Sequence, residues 1–290
     1  MTLPETTALT LSRESGVLHI TLNRPEARNA MSLAMVNELM DVFDWLENDA
    51  GSAEVRALVL RGADGHFCAG GDIKDMAGAR QQAAEGDPEA FLRLNRRFGE
   101  MISTANRLPQ VLITVLEGAV MGGGFGLACV SDVAISAGDA KFGLPETGLG
   151  VIPAQIAPFV VQRIGLTRAR RIALTGQRFD GHHALTLGVV HEVADSPAEL
   201  DKKLAEVLGE IRRCAPNASR VTKQLVLDVG HVPMDELLDR AAADFAEAVA
   251  RKVSGILPGG WRHPFAGKAR SHRWSHKACS HKSIRNGNEF

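Results

Sequence analysis

The amino-acid sequence predicts an α/β fold with parallel strand pairing. Strand and helix patterns alternate three times over the first half of the chain, which is typical of βα units. Val111–Leu116 is a continuous apolar run, as expected for a strand buried on both faces, and glycine-rich turns follow the second and third strands of the series. The 290 residues, 45% of them hydrophobic, suffice for one large domain or two smaller ones.

The first elements define the repeating unit. Leu9–Arg13 and Val17–Asn23 alternate in polarity around a turn, so we predict a β-hairpin. Ser32 is a good N-cap for an amphipathic helix over Leu33–Asn48, and Val55–Arg61 has the composition of a buried strand. A strand, a helix and a second strand in this order imply a right-handed crossover and parallel pairing.

The rest of the chain is predicted to be mainly helical. The helical patterns are Lys74–Gly86, Pro88–Arg107, Ala154–Ile164, Arg168–Thr175, Gly181–Leu187, Pro197–Cys214, Asn217–Val229 and Met234–Val253, and further strands are expected at Asp132–Ala137 and Val189–Val193. We divide the chain into a core at 1–195, a helical region at 196–258 and a tail at 259–290. The helices of the second region suit packing on a partner subunit or on their own core, and both alternatives stay open.

Global composition favours a cytoplasmic protein without nucleic-acid or membrane partners. The net charge is -1, residues 1–20 lack the apolar core of a signal peptide, and no apolar run reaches the roughly 20 residues that cross a bilayer. The four cysteines form no CxxC pair, which favours reduced thiols. The tail, Gly259–Phe290, is basic and poor in aliphatic residues, so we expect disorder and predict no metal site. The weaker alternative is a metal cluster made of His272, His276, Cys279 and His281.

The glycine-rich stretch Gly118–Glu146 contains the candidate site. Gly122–Gly124 precede a short helix over Phe125–Val130, and the stretch ends at Glu146. Free N–H groups in the first turn of a helix can hold a developing negative charge, and a carboxylate at the end of an apolar stretch can transfer protons. A second glycine-containing turn, FCAGGD at 67–72, follows the preceding strand.

Two glycine turns and one carboxylate suit chemistry that passes through an enolate. The amides of Gly71 and Gly123 would hold the oxygen anion while Glu146 moves protons. The alternative is that these glycines only permit close packing of helix on strand, and it has equal weight on the residues alone. The sequence contains no dinucleotide fingerprint, phosphate-binding loop, zinc-binding pair or serine-hydrolase elbow, which disfavours those enzyme classes.

Four motifs, in order, resemble those of the enoyl-CoA hydratase/isomerase (crotonase) family over roughly residues 8–255. They are LNRPEARNAMS at 22–32, VLRGADGHFCAGGDIKDM at 59–76, GAVMGGGFGLACVSDVAI at 118–135 and FGLPETGLGVIP at 142–153. The resemblance implies a spiral of repeated ββα units with two nearly perpendicular sheets, followed by helices that mediate trimer formation. It also implies an acyl-CoA thioester substrate, no separate cofactor, and a homo-oligomer that is a trimer or a dimer of trimers.

The resemblance also assigns substrate contacts. The thioester oxygen would sit between the amides of Gly71 and Gly123. The residues that border or bind coenzyme A would be Ala27, Arg28, Ala69, Asp72, Ile73, Lys74 and Lys223. Lys223 would approach a nucleotide phosphate, if need be that of a neighbouring subunit. For Lys223 and Arg28, a solvated surface charge is an equally good interpretation.

One residue departs from the family pattern. Where two-carboxylate hydratases of the family have their first glutamate, this chain has Gly126, whereas the second is kept as Glu146. Asp132 is expected to be structural and not a substitute. A lone carboxylate suits a Δ3,Δ2-enoyl-CoA isomerase, or a hydratase in which Glu146 activates water at C3 and then protonates C2.

The segment GVIPAQIAPFVVQRIG at 150–165 is similar to hydratases of branched glutaconyl-CoA esters in acyclic-terpene degradation, of the isohexenylglutaconyl-CoA type. We therefore expect hydration of a branched, carboxylated 2-enoyl-CoA. The isomerase is the alternative, and a non-catalytic scaffold that binds a partner through its basic tail is the third hypothesis. The carboxylate of the substrate would take over part of the role of the missing glutamate, or Gly126 would make room for the branch.

Assignments in the acyl pocket depend on residue type alone. Gln155 is a polar residue near the start of an apolar helix pattern, so it either hydrogen-bonds the water or the distal carboxylate, or lies on the helix surface. The apolar residues that line the pocket, or that simply fill the core, are Met121, Phe125, Pro153, Ile156 and Phe159. His66, Cys68 and Cys129 are expected to be structural.

Overall fold

The computed structural model describes residues 2–48 and 54–254, the last four of them by their backbone alone. Its strands are β1 (Leu9–Glu14), β2 (Val17–Leu22), β3 (Ala57–Gly62), β4 (Val111–Leu116), β5 (Ala119–Met121), β6 (Val133–Ala137), β7 (Lys141–Gly143), β8 (Arg178–Phe179) and β9 (Glu192–Ala194). Its helices are α1 (Leu33–Asn48), α2 (Ile73–Ala84), α3 (Ala90–Arg107), α4 (Gly123–Val130), α5 (Ala157–Ile164), α6 (Leu166–Thr175), α7 (Gly181–Leu187), α8 (Pro197–Arg213), α9 (Pro216–Leu227) and α10 (Met234–Ser254). Within the described residues, one sheet has the strand order β1-β2-β3-β4-β6-β9 and a second has the order β5-β7-β8.

The main sheet is parallel after its first strand. β1 and β2 form the predicted antiparallel hairpin, with Ser15 and Gly16 both at positive φ in its turn. β2, β3, β4, β6 and β9 then pair in parallel, so the predicted parallel pairing across the α1 crossover is confirmed. The amide of Met35 donates a hydrogen bond to Ser32 Oγ (3.2 Å), which makes Ser32 the cap that the sequence predicts.

Both faces of the main sheet are covered. On one face, strand residues such as Leu58 join an apolar cluster with α1, α3 and α4, whereas on the other face Val59 packs with Leu200 of α8. Burial on both faces accounts for the continuous apolar composition of β4. Contacts group the described residues up to Asp244 into one compact unit. α8 therefore packs on its own core, while an oligomerisation role for 196–258 stays a prediction.

The second sheet is made of strands too short for the sequence pattern to predict. β5 and β7 have three residues each and β8 has two. Isolated bridges extend this layer, since Cys68 pairs with Val120 and Gly71 pairs with Met31. β3 and β4 are thus each followed by a short extended segment and then by a helix, which is the ββα unit that the resemblance implies.

Six helix starts lie one to three residues from the predicted ones, and two of these differences concern the site. α4 begins at Gly123 instead of Phe125, so glycines form its first turn. α5 begins at Ala157 instead of Ala154, which leaves Gln155 in the preceding turn.

Searches for two further features apply to the described residues only. None of their helices is long and apolar enough to cross a membrane, and none of their His, Cys, Asp and Glu side chains group into a metal-binding cluster. The tail at 259–290, with its expected disorder and its alternative metal cluster, lies outside the described residues.

Candidate active site

The first glycine turn is held in place by backbone hydrogen bonds on both sides. The amide of Cys68 donates to the carbonyl of Ala119 (2.8 Å), and its carbonyl accepts from the amide of Met121 (2.9 Å). A few residues on, Met31 donates to the Gly70 carbonyl (2.7 Å) and accepts from the amide of Asp72 (3.0 Å). The turn is therefore fixed between the loop that precedes α1 and the strand that precedes α4.

The amides of Gly71 and Gly123 are both free to bind an oxygen anion. Gly71 lies between Gly70 and Asp72, whose backbone groups hydrogen-bond to Met31. The amide of Gly71 itself has no acceptor in the described part of the chain. Gly123 is the first residue of α4, where the helix leaves its amides without internal partners. Gly122 has φ 49° and ψ -114°, a conformation that requires glycine and that brings the chain into the helix at this point.

Glu146 meets both glycine turns. It follows β7 and opens a short 3-10 helix, Glu146–Leu149. A Cβ atom built on Gly122 would lie 2.9 Å from Glu146 Oε1 and 3.5 Å from Gly70 Cα. The carboxylate and the two turns thus form one site, which the sequence alone left open.

The Glu146 carboxylate has the environment of a proton-transfer group. Its Oε2 atom is buried and has no hydrogen-bond partner among the described residues. Burial raises the pKa of Glu146 above its ordinary value, although its own backbone N–H acts in the opposite direction. A carboxylate with one buried, unpaired oxygen is typical of catalytic acids and bases.

Gly126 has no space for a side chain. A Cβ atom there would lie 2.4 Å from Ile156 Cγ2 and 2.7 Å from Ile102 Cδ1. Ile156, from the unusual segment at 150–165, therefore fills the place where the family's first glutamate would start. The hypothesis that Gly126 makes room for a substrate branch is wrong for this reason.

Asp72 is engaged within the protein. Its Oδ1 accepts a hydrogen bond from the amide of Lys74 (2.6 Å) as the N-cap of α2, and its Oδ2 pairs with Arg24 (2.6 Å). Burial alone would raise the pKa of Asp72, but the hydrogen bonds from Arg24 and Lys74 outweigh it and lower the pKa. Beside it, Ile73 is 84% exposed, so its side chain remains available to a ligand.

Asn29 is a residue of the site region that the sequence reasoning missed. It is fully buried, and its amide donates to the carbonyls of Ala63 (2.9 Å) and His66 (2.6 Å) while its Oδ1 accepts from the amide of Arg24 (2.8 Å). Its φ of 56° is one that asparagine tolerates better than most residues. The sequence signal that could have predicted this role is an asparagine within a turn motif.

The predicted coenzyme A contacts of two loops are joined by a backbone hydrogen bond. The amide of Ala69 donates to the Arg28 carbonyl (3.0 Å), so Ala27 and Arg28 lie against the first glycine turn. The side chains of Arg28 and Lys74 are exposed at this surface.

Lys223 lies away from these turns. Its ammonium donates to Asp132 Oδ2 (2.7 Å) and to the Gln110 carbonyl (3.1 Å), next to the start of β6 and β4. The glycine turns follow the opposite, carboxyl ends of β3 and β4, so the structure does not bring Lys223 to the site of its own chain. The solvated surface charge is also wrong, because the Lys223 side chain is only 11% exposed. Asp132 additionally accepts from the amide of Leu112 (2.7 Å), as expected of a structural carboxylate.

Gln155 belongs to a polar contact with α3. Its Nε2 donates to Asn95 Oδ1 (2.9 Å) from the turn before α5, so a position on a helix surface is wrong. The predicted lining residue Phe125 packs edge-on against Phe142 and Phe179 and therefore belongs to the core. Phe98 instead faces the site, since its ring lies 3.0 Å from a Cβ built on Gly123.

The remaining candidates are structural, as expected. His66 Nδ1 accepts from the amide of Ala119 (3.1 Å). Burial raises the pKa of Cys68 to about 11 and that of Cys129 to about 12, so neither thiol is a ready nucleophile.

The protein is an enzyme of the crotonase fold. Its features are a main sheet that is parallel after the first strand, a second layer of short strands, and a carboxylate with one buried oxygen beside two free amides. The chain belongs to the enoyl-CoA hydratase/isomerase family, whose profile matches residues 12–245. Among solved structures, Pseudomonas aeruginosa AtuE is similar with a TM-score of 0.80 and 60% identity, over 84% of this chain and 92% of that one. An enoyl-CoA hydratase/isomerase from Marinobacter aquaeolei has a TM-score of 0.80 and 58% identity, over 84% and 91%. The short-chain-enoyl-CoA hydratase of Clostridium acetobutylicum is 32% identical over 74% of this chain and 79% of its own length.

Proposed function

We propose that this enzyme adds water across the C2=C3 bond of a branched, carboxylated 2-enoyl-CoA. One observation carries the proposal: Glu146 presents a buried, unpaired carboxylate oxygen next to both glycine turns. The similarity of the segment at 150–165 to branched glutaconyl-CoA hydratases supports the substrate class.

The glycine turns activate the thioester. Its carbonyl oxygen accepts hydrogen bonds from the amides of Gly71 and Gly123, and the positive end of α4 favours the negative charge that builds up there. Electron withdrawal through this oxygen makes C3 electrophilic, and the same two amides stabilise the enolate that forms when a nucleophile adds.

Glu146 then performs both proton transfers. As a carboxylate it removes a proton from the attacking water while the hydroxyl oxygen bonds to C3, and as a carboxylic acid it returns that proton to C2 of the enolate. The proton balance closes with one group. A single carboxylate has to perform both transfers because Ile156 and Ile102 occupy the place of a second glutamate at Gly126.

Coenzyme A, as part of the substrate, would lie along the loops that carry Ala27, Ala69 and Ile73, with Arg28 and Lys74 as exposed cations for its phosphates. No separate cofactor takes part in this reaction. We further propose a homotrimer or a dimer of trimers. Lys223 would contact coenzyme A only as a residue of a neighbouring subunit, and only if its ion pair with Asp132 opens.

The substitution Glu146→Gln tests the proposal. It keeps the shape of the side chain but removes proton transfer, so we expect kcat to fall by about 10²–10⁴-fold while the Kd for a saturated acyl-CoA changes little. Loss of the conjugated-thioester absorbance follows hydration directly. Glu206→Gln, at an exposed position of α8, is the matched control and should keep full activity. Full activity of the Glu146 variant would refute the assignment.

The second candidate is a Δ3,Δ2-enoyl-CoA isomerase, which a single carboxylate also favours. In that reaction Glu146 would move one proton between C2 and C4, with the same anion site for the dienolate. The absorbance test separates the two, because isomerisation of a 3-enoyl-CoA creates the conjugated thioester that hydration removes.

A further inference from the structure

Arg96 differs from its neighbours on α3 in having no acidic partner. Arg93 pairs with Asp87, which precedes α3, and Arg97 pairs with Glu100 (3.2 Å) on α3 itself. No Asp or Glu in the described part of the chain pairs with Arg96. Its guanidinium is therefore a cation that the protein itself leaves uncompensated.

The Arg96 guanidinium lies beside the amide of Gln155. A Cβ built on Gly99 would lie 2.9 Å from Arg96 Nη1 and 1.9 Å from Gln155 Oε1, so both groups meet at the same point of the helix surface. Only glycine at 99 leaves room for these two groups there. Gln155 Nε2 uses one of its two hydrogens for Asn95, and the second is available to a ligand.

This polar group adjoins the acyl side of the active site. Next to Gly99 in α3, the Phe98 ring lies 3.0 Å from a Cβ built on Gly123, the residue whose amide binds the thioester oxygen. Next to Gln155, Ile156 closes the space at Gly126. Phe98 and Ile156 thus form an apolar wall against α4. The two segments that carry them also supply Arg96 and Gln155.

We infer that Arg96, together with Gln155, binds the carboxylate on the C3 branch of the substrate. The inference rests on the proposed function and names its specificity-determining residues. A guanidinium binds a carboxylate through two parallel hydrogen bonds, and it does so more strongly than a neutral donor. Arg96 is exposed and stays solvated beside a neutral acyl chain, so the selection for a carboxylated branch comes from the attraction that only a carboxylate gains.

The test compares two substrates on three proteins. The substrates are a 2-enoyl-CoA whose C3 branch ends in a carboxylate and the methyl ester of the same branch. For Arg96→Met we expect kcat/KM for the carboxylated substrate to fall by about tenfold or more, while the value for the ester stays within about threefold. Arg93→Met, on the same helix, is the control and should keep the wild-type preference.

The inference is overturned if the Arg96→Met variant keeps the wild-type preference, whether both activities fall equally or neither changes. Arg96→Lys, which keeps the charge, should recover part of the preference. Binding of the saturated carboxylated and ester thioesters is measured in parallel by calorimetry, because it does not depend on the reaction. If wild type hydrates neither substrate, the proposed function fails; an Arg96-dependent preference in binding would still support the inference, and its absence would refute it.

Discussion

Two carboxylates lie beside the glycine turns, and the protein treats them in opposite ways. Asp72 accepts from the Lys74 amide and pairs with Arg24, and these contacts lower its pKa. Glu146 keeps one buried oxygen without a partner, and burial raises its pKa. The first therefore stays charged and holds a loop in place, while the second can gain and lose a proton.

The difference shows that the partners of a carboxylate, more than its position near the site, set the direction of its pKa shift. Asp132 supports the same conclusion at the other end of the sheet, where Lys223 and the Leu112 amide occupy its Oδ2. Of these three acids, only Glu146 has a buried oxygen without a hydrogen-bond partner among the described residues, and a bound substrate would supply that partner. Three substitutions would break or sharpen this contrast.

The largest effect is expected when a second carboxylate is forced into the site. Gly126→Glu places a Cβ within 2.7 Å of Ile102 and Ile156, so we expect the free energy of unfolding to fall by about 3 kcal/mol. Urea denaturation measures it. Gly78→Glu is the matched control, because nothing lies within 4 Å of a Cβ there, and it should cost little. Unchanged stability of the Gly126 variant would mean that Ile102 and Ile156 move aside at little cost in free energy.

Asp72→Asn should have the next largest effect. It removes the ion pair with Arg24, and we expect a loss of about 2 kcal/mol in the free energy of unfolding at pH 7. Because the pKa of Asp72 is lowered in the folded protein, this stability is present above the unfolded pKa of about 3.9 and is lost as the pH falls through the folded pKa.

The control for Asp72 uses the same arginine. Glu26 also faces Arg24, at 3.8 Å, but its side chain is 70% exposed. Glu26→Gln should therefore change the free energy of unfolding by less than about 0.5 kcal/mol. Equal effects of the two variants would contradict a special role for the buried pair.

The smallest effect, with the opposite sign, is expected for the stability of Glu146→Gln. A raised pKa in the folded state means that protonated Glu146 favours folding and ionised Glu146 opposes it. The favourable contribution of the protonated form is complete below the unfolded pKa and is lost as the pH rises through the folded pKa. The variant should be more stable than wild type at pH 7, by less than about 1 kcal/mol, and the difference should vanish near pH 4. Denaturation at the two pH values tests this. A less stable variant at pH 7 would show that Glu146 is paired as Asp72 is.

Local patterns located the elements of the candidate site. Apolar alternation located the long strands, and glycines at the ends of β3 and β4 marked the two turns that the structure brings to Glu146. Strands of two or three residues escaped prediction because they contain too few residues for a period to be visible. Their existence depends on pairing with segments distant in the sequence.

The sequence by itself determined the order of strands and helices, the two glycine turns and the presence of one candidate carboxylate, because periodicity and glycine are properties of the local chain. Only the tertiary structure decided what each charged side chain meets. Lys223 reaches Asp132 across 91 residues of chain, and Ile156 closes the space at Gly126 from another segment. Partners of this kind depend on how helices pack over the sheet, and that packing left Glu146 unpaired while it satisfied Asp72.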